Sequence, residues 1–395
     1  MKIDKIVSDS PVSAKYAYFD TGAAAPPPTP VIDRVKAYLD ETAELGTYLP
    51  SLRKRVYEDL ETTRAKTAAF IGAKPEEIAF TKNGTEAICL VAQGIDWAEG
   101  DEIIVPETEM LSNLSVWLQL EQQRGIRVVR AKASLEGLLD AAAIAEHVTD
   151  RTRLISFVAL SNVTGAVQPV AEICAMAQQR GVMTHVDAAQ AIGVLDVDIH
   201  DWGCDFLSTC GRKGLRAIEG SGFLYIAEPR IAELSSCMIG WWNSSVDGEG
   251  ALVLPQTAKR FEAGCPNVPA IYSLDAALDY ASDLGQGAIE ARCREITDYA
   301  LQGLARIPGF ELYGPADAAH RIGIIPFNIK GLDPRSLVLE LEMRGIIIEA
   351  GHFMASSILE GYNIDCMARA SIHYFNTEAE IDRLVSNILD IKESK

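Results

Sequence analysis

The chain has 395 residues, 48% of them apolar, so it can bury a large core, is long enough for two or three domains, and is not a disordered polymer. Acidic residues outnumber basic ones 55 to 36, a formal charge of -19, and no Lys/Arg block offsets it, which argues against nucleic acid or anionic membrane as a partner. The start, MKIDKIVSDSPVSAKY, is charged where a secretory signal needs an apolar core, no stretch reaches membrane-spanning length, and the eight cysteines lack CxxC or zinc-like grouping; a cytoplasmic protein with reduced thiols and no metal site is expected.

In chain order, AYFDTGAAAPPP is too rich in Pro and Gly for regular structure and reads as an ordered strap near a site, within an N-terminal segment of residues 1–30. Val31, Ile32, Val35, Tyr38 and Leu39 recur at helical spacing, predicting an amphipathic helix after the proline run. From about 55 to 230, short β-rich runs (EIIVP, RVVRA, LISFVAL, VMTHVD, DFLST, GFLYI) alternate with helical patterns such as PVAEICAMAQQRG. That alternation predicts an α/β fold with a mainly parallel sheet covered on both faces, in a large domain over 31–270. A helical stretch near 268–306 leads into GIIPFNI, DPRSLVLELEMRG, GIIIE, ARASIHY and TEAEIDRLVSNILDI, read as strand, helix, strand, strand and helix in a smaller α+β domain over 271–395.

Open α/β sheets bind ligands beyond the carboxyl ends of their strands. Three runs carry polar residues there: Ser161-Asn162 after LISFVAL, Asp187 with Gln190 after VMTHV, and Cys210-Gly211-Arg212-Lys213 after DFLST. Taken singly, Asp187 reads as a helix cap, Lys213 as a solvated charge and Asn162 as a turn former. Together, an acid and an amine 26 residues apart at successive strand ends are what pyridoxal 5'-phosphate requires. The carboxylate keeps the pyridine nitrogen protonated, the ring becomes an electron sink, and the lysine holds the cofactor and moves protons. Upstream, FTKNGTEAI reads as strand, turn and helix start, leaving backbone N–H groups at Gly84 and Thr85 where a phosphate could sit.

With FTKNGTEAI, SNVTGAVQPV, HVDAAQAIG, DFLSTCGRKGLRAIEGSGFLYI, RFEAGCPNVPAI and ARASIHYFNTEAEID in view, the chain resembles the class V aminotransferase family of fold-type I pyridoxal enzymes over nearly its whole length. That family includes cysteine desulfurases, isopenicillin N epimerase and ergothioneine-type carbon–sulfur lyases. The resemblance implies Lys213 as the Schiff-base lysine, Asp187 as the pyridine partner, Asn162 and Gln190 near the ring oxygen, and Gly84 and Thr85 at the phosphate. It implies Arg369 as the planar clamp for a substrate carboxylate. The segment RFEAGCPN resembles a loop that crosses a two-fold axis to the partner's phosphate, implying a homodimer with shared active sites.

The sequence departs from the family at several places. Where desulfurases carry a persulfide-forming cysteine, EAGHFMASSIL has Met354, and a thioether cannot take up sulfur in that way. Met110 or Leu111 stands where a flat ring stacks on the cofactor, and Cys210 and Cys265 replace hydroxylic phosphate contacts. Arg212 is read as a phosphate partner, a substrate gate or a loop anchor. Glu349, where desulfurases carry arginine, is a recogniser of a cationic side chain or a solvated strand end; His352 is an acid–base group or a polar loop residue. The expected function is a carbon–sulfur lyase acting at the α-carbon of an amino acid, with an epimerase or racemase, or a transaminase, as alternatives and a silent scaffold as a third class.

Overall fold

The computed structural model describes residues 1–394. Seven short runs form the main sheet: β1 (Ile78–Thr81), β2 (Glu102–Pro106), β3 (Arg127–Ala131), β4 (Thr152–Val158), β5 (Met183–Asp187), β6 (Phe206–Cys210) and β7 (Gly222–Ile226). Their order is β1-β7-β6-β5-β4-β2-β3, with β7 antiparallel to both neighbours and every other adjacent pair parallel. The inner strands read as mostly apolar runs because both faces are covered. Ile155, Phe157 and Leu207 join one core with Ile173 and Leu278, while Leu154, Ile103 and Phe206 join another with Leu90 and Trp117. Burying each such side chain stabilises the fold by roughly 1.5–3 kcal/mol.

The helix after the proline run spans Thr29–Leu45, and a second, Pro50–Phe70, follows it. The stretch near 268–306 is two helices rather than one, Val268–Leu284 and Gln286–Leu304, broken at Gly285. The second sheet comprises β8 (Phe310–Leu312), β9 (Ile324–Ile329), β10 (Glu349–Gly351) and β11 (Met367–Ser371), in the antiparallel order β8-β9-β11-β10. Helices Pro334–Met343 and Glu378–Glu393 cover it, sharing a core of Phe327, Leu337, Ile381 and Leu384.

Two sequence expectations need correction. GIIIE is not one strand: Ile346–Ile347 pairs with the N-terminal strap, and only Glu349–Gly351 joins the second sheet. The strap is not wholly irregular, since Ala17–Tyr18 runs parallel to Ile346–Ile347. Ala17 and Phe19 are buried in the second core, and an extended backbone there lets their N–H groups donate to Gly345 and Ile347 carbonyls at 3.0 and 2.8 Å. From Asp20 to Pro28 the strap crosses the ends of β5 and β6. Gln190 Nε2 donates to Gly22 O (2.9 Å), Ala25 N to Arg212 O (2.9 Å), and Arg216 Nε to Pro26 O (2.9 Å).

Candidate active site

Parallel pairing sets Asp187, the last residue of β5, beside Val158 of β4 and Ser208 of β6. Its Oδ1 accepts a hydrogen bond from Ala189 N at 2.9 Å. Lys213 follows three residues after the end of β6, in a loop closed by Arg216 N donating to Lys213 O (3.0 Å). That loop is seated by contact rather than by slack: a Cβ on Gly214 would lie 2.3 Å from Ile192 O, so only glycine permits this approach. Lys213 Nζ has no hydrogen bond or ion pair among the described residues. Burial lowers its pKa, a shift opposed by Cys210 and Asp187 and reinforced by Arg212 and Arg369. Burial raises the Asp187 pKa against the pull of the Ala189 N–H and of Lys213.

Asp187 rests on a buried polar ladder. Glu109 Oε1 accepts from Val158 N (2.9 Å) and Oε2 from Asn113 Nδ2 (2.8 Å). Ser156 Oγ donates to Asn113 Oδ1 (2.7 Å) and therefore accepts from His185 Nδ1 (2.8 Å), while His185 Nε2 accepts from Ser208 Oγ (3.0 Å). His185 is thus a neutral imidazole with its proton on Nδ1, its pKa pushed down to about 3 by burial. Every polar side chain inserted into these otherwise apolar strands finds a partner.

Arg369 of β11 is buried, and one edge of its guanidinium meets two carboxylates. Nη2 lies 3.1 Å from Asp20 Oδ1 and 2.6 Å from Glu349 Oε2, while Nη1 donates to Asn162 O at 2.9 Å. The Arg369 Nε is buried without an acceptor. Glu349 faces Arg369 directly across the β10–β11 pair, so both side chains leave the same face of the sheet. Gly22 lets the strap come this close, since a Cβ there would fall 2.7 Å from Ser371 Oγ and 3.2 Å from the Arg369 guanidinium carbon. Burial raises the Asp20 pKa to about 6 even though Arg369 opposes the shift.

The segment after β10 closes over Arg369. The Phe353 ring lies 4.1 Å from the guanidinium carbon, a cation–π contact. Phe353 and Met354 are successive left-handed residues, at φ +50° and +60°, a conformation costly for side chains of this size. Three hydrogen bonds hold them: Asn162 Nδ2 to Phe353 O (3.1 Å), Leu111 N to Met354 O (3.0 Å), and Met354 N to His352 Nδ1 (3.1 Å). Ser357 Oγ adds a bond to Glu107 O.

The structure thus links Asn162, Gln190, Arg212, Glu349 and Arg369 through the strap and the Phe353 segment, and sets Lys213 within electrostatic reach of Asp187, Cys210, Arg212 and Arg369, with Cys210 buried and Met110 half-buried. Gln190 and Asn162 spend their amide donors on backbone carbonyls of the strap and of the Phe353 segment. Arg212 reaches Ala23 O in the strap. His352 is exposed and accepts from the turn it belongs to. Gly84 opens the helix Gly84–Gly94 under the N-cap Asn83 and packs on Thr209 of β6, with Thr85 exposed in the first turn. Cys265 is exposed in a groove it shares with Lys82, Glu86 and Trp242, outside the hydrogen-bonded group around Arg369. Sequence reasoning missed Asp20, Glu109 and Phe353. The one available signal was polar Ser156 and His185 inside apolar strands; Asp20 and Phe353 gave none.

The class-V aminotransferase model matches residues 17–384. The chain belongs to the class-V aminotransferase family. Among class-V aminotransferase relatives, a probable cysteine desulfurase of Methanothermobacter thermautotrophicus is 35% identical over 99% of this chain and 98% of its own length. A cysteine desulfurase of Dickeya dadantii is 36% identical, covering 98% and 96%. The apo cysteine desulfurase of Thermococcus onnurineus superposes with a TM-score of 0.93 at 30% identity, over 99% of this chain and 98% of that one. A cystine carbon–sulfur lyase in complex with its product cysteine persulfide superposes with a TM-score of 0.88 at 25% identity, over 96% and 99%.

This class-V aminotransferase-family enzyme uses pyridoxal 5'-phosphate. The residues present fit that group: an uncommitted amine at Lys213, a buried carboxyl at Asp187 with one oxygen engaged, and the N–H groups of Gly84 and Thr85, which make no hydrogen bond among the described residues. A phosphate held there would meet the positive end of the helix Gly84–Gly94.

Proposed function

We propose that the enzyme breaks the bond between the β-carbon and the sulfur of a cysteine-type amino acid and releases the sulfur fragment to solution. The observation that carries this reading is the Lys213 amine, without a partner among the described residues, within electrostatic reach of the buried Asp187 carboxyl, together with a segment over Arg369 that bears Met354 and no thiol. When bound, pyridoxal phosphate supplies the sink for the electron pair left on the α-carbon. Arg369 holds the substrate carboxylate with two parallel donors. Lys213, whose pKa burial lowers, takes the α-proton onto Nζ. The carbon–sulfur bond then breaks with its pair leaving on sulfur, the proton held on Lys213 Nζ passes to the departing thiolate, and water hydrolyses the remaining three-carbon fragment to pyruvate and ammonia. Asp187 would hold the proton of the pyridine nitrogen, Met110 would pack against the ring, and Asn162 and Gln190, anchored on backbone carbonyls, would lie near the ring oxygen. Gly84 and Thr85 would hold the phosphate, with Cys210 and Arg212 beside it, and the exposed loop bearing Cys265 would reach the phosphate of a second copy.

The working unit is a cytoplasmic homodimer. Leu39, Tyr48 and Trp241 are exposed around the groove of Cys265 and Pro266, an apolar patch that a second copy would cover. The test is to load the purified protein with pyridoxal phosphate and offer cysteine, cystine and S-substituted cysteines. Stoichiometric pyruvate and sulfur-fragment release supports elimination. Solvent deuterium at the α-carbon without pyruvate would instead establish epimerisation, and keto acid formation with amino transfer would establish transamination.

A further inference from the structure

Arg369 has one positive charge and two carboxylates on the same nitrogen, and the two acids are not equivalent. Asp20 is fixed in the strap and its side chain is 17% exposed; Glu349 stands on the edge strand β10 and its side chain is 44% exposed. An amino-acid carboxylate arriving at Arg369 Nη2 displaces the freer of the two, which is Glu349. Glu349 cannot retreat far, because its backbone is paired residue for residue with Arg369. The substrate therefore leaves a displaced carboxylate on its own flank. A neutral or acidic side chain meets uncompensated negative charge there, whereas a basic one replaces the ion pair that Glu349 has lost. The substrate's α-nitrogen is committed to the cofactor, so the compensating cation has to lie further along the side chain.

We propose that Glu349 is a specificity-determining residue that selects sulfur amino acids carrying a cationic group, an ammonium or guanidinium, beyond the sulfur. This rests on the reading of Arg369 as the partner of the substrate carboxylate. Its companion features agree. Asp20 adds a second acid, Tyr18 stays protonated beside them with its hydroxyl donating to Ala24 O at 2.8 Å, and Phe353 closes the other side of Arg369 with an apolar face.

Three ligands of matched size separate the possibilities: S-(2-aminoethyl)-L-cysteine, S-propyl-L-cysteine and S-carboxymethyl-L-cysteine. Binding to the cofactor-loaded protein is read from the absorbance change in the first seconds after mixing and, independently, from the shift in unfolding temperature. The wild type should bind the aminoethyl ligand about tenfold more tightly than the propyl one, equivalent to about 1.4 kcal/mol, with the carboxymethyl ligand weakest. Glu349→Gln should erase the preference and Glu349→Lys should reverse it. Equal binding of all three by the wild type, a preference that survives Glu349→Gln, or a uniform tightening of all three in that variant would each overturn the proposal. Arg369→Ala should weaken all three; no weakening would remove the reading beneath it. Selective binding with no pyruvate from any ligand would sink the lyase reading and leave the assignment of Glu349 standing.

Discussion

At the scale of single residues, the site is a set of charges whose burial decides their state. Arg369 is a buried guanidinium with a fork of donors, so Arg369→Lys keeps the charge and loses the geometry. Steady-state kinetics should show KM for amino acids raised about ten- to a hundredfold, the range of one charge-assisted hydrogen bond, with cofactor retention unchanged. Equal loss of both would contradict the carboxylate role. Asp20 makes a separate prediction. Its pKa is raised to about 6 in the folded protein, so the native state binds the proton more tightly than the unfolded chain, and stability drains away as pH rises from about 4 to 6. Asp20→Asn never takes up that charge. Its melting temperature relative to wild type should climb by a few degrees between pH 4 and pH 7 and then stay level; a constant difference would remove the raised pKa. Asp187 and Lys213 were legible in the sequence because strand ends announce ligand sites. Asp20 was not, since it meets Arg369 across 349 residues by a fold-back that no local periodicity records.

At the scale of elements, the short connections do the positioning. The parallel runs β2 to β6 were readable as strands because each is a short, β-rich, mostly apolar run; the inner ones are buried on both faces, while β3 is a part-exposed edge. The reversal of β7 and the place of β1 beside it were not, although FTKNG was read as a strand, because strand direction and order depend on the connection and leave no mark in a short apolar run. The Lys213 loop shows what such connections do. Gly214→Ala would drive a Cβ to 2.3 Å from the Ile192 carbonyl and force the loop to move. Overpacking of this kind costs about 1–3 kcal/mol, and the displaced amine should also lower the absorbance of bound cofactor at saturation. Full cofactor absorbance with normal stability would show that the loop has room to spare. The ladder under Asp187 was half visible: Ser156 and His185 stand out in apolar strands, whereas Glu109 lies in a connection whose burial only the fold reveals.

At the scale of the whole molecule, the N-terminal strap joins the two sheets into one active unit by pairing with Ile346–Ile347 and lying over the ends of β5 and β6. The apolar patch around Tyr48 and Trp241 is the surface on which the dimer is expected to close. Light scattering of the wild type should give twice the 42.9 kDa chain mass, and the double substitution Tyr48→Asp with Trp241→Asp should shift it to monomer. A wild-type monomer with full activity would contradict shared sites. Beneath these expectations lies the single amine of Lys213. Borohydride reduction of the cofactor-loaded protein, followed by mass mapping of its peptides, should place the reduced pyridoxyl phosphate on the peptide containing Lys213 and nowhere in Lys213→Ala. A label on another lysine, or cofactor retained with no lysine labelled, would contradict the account.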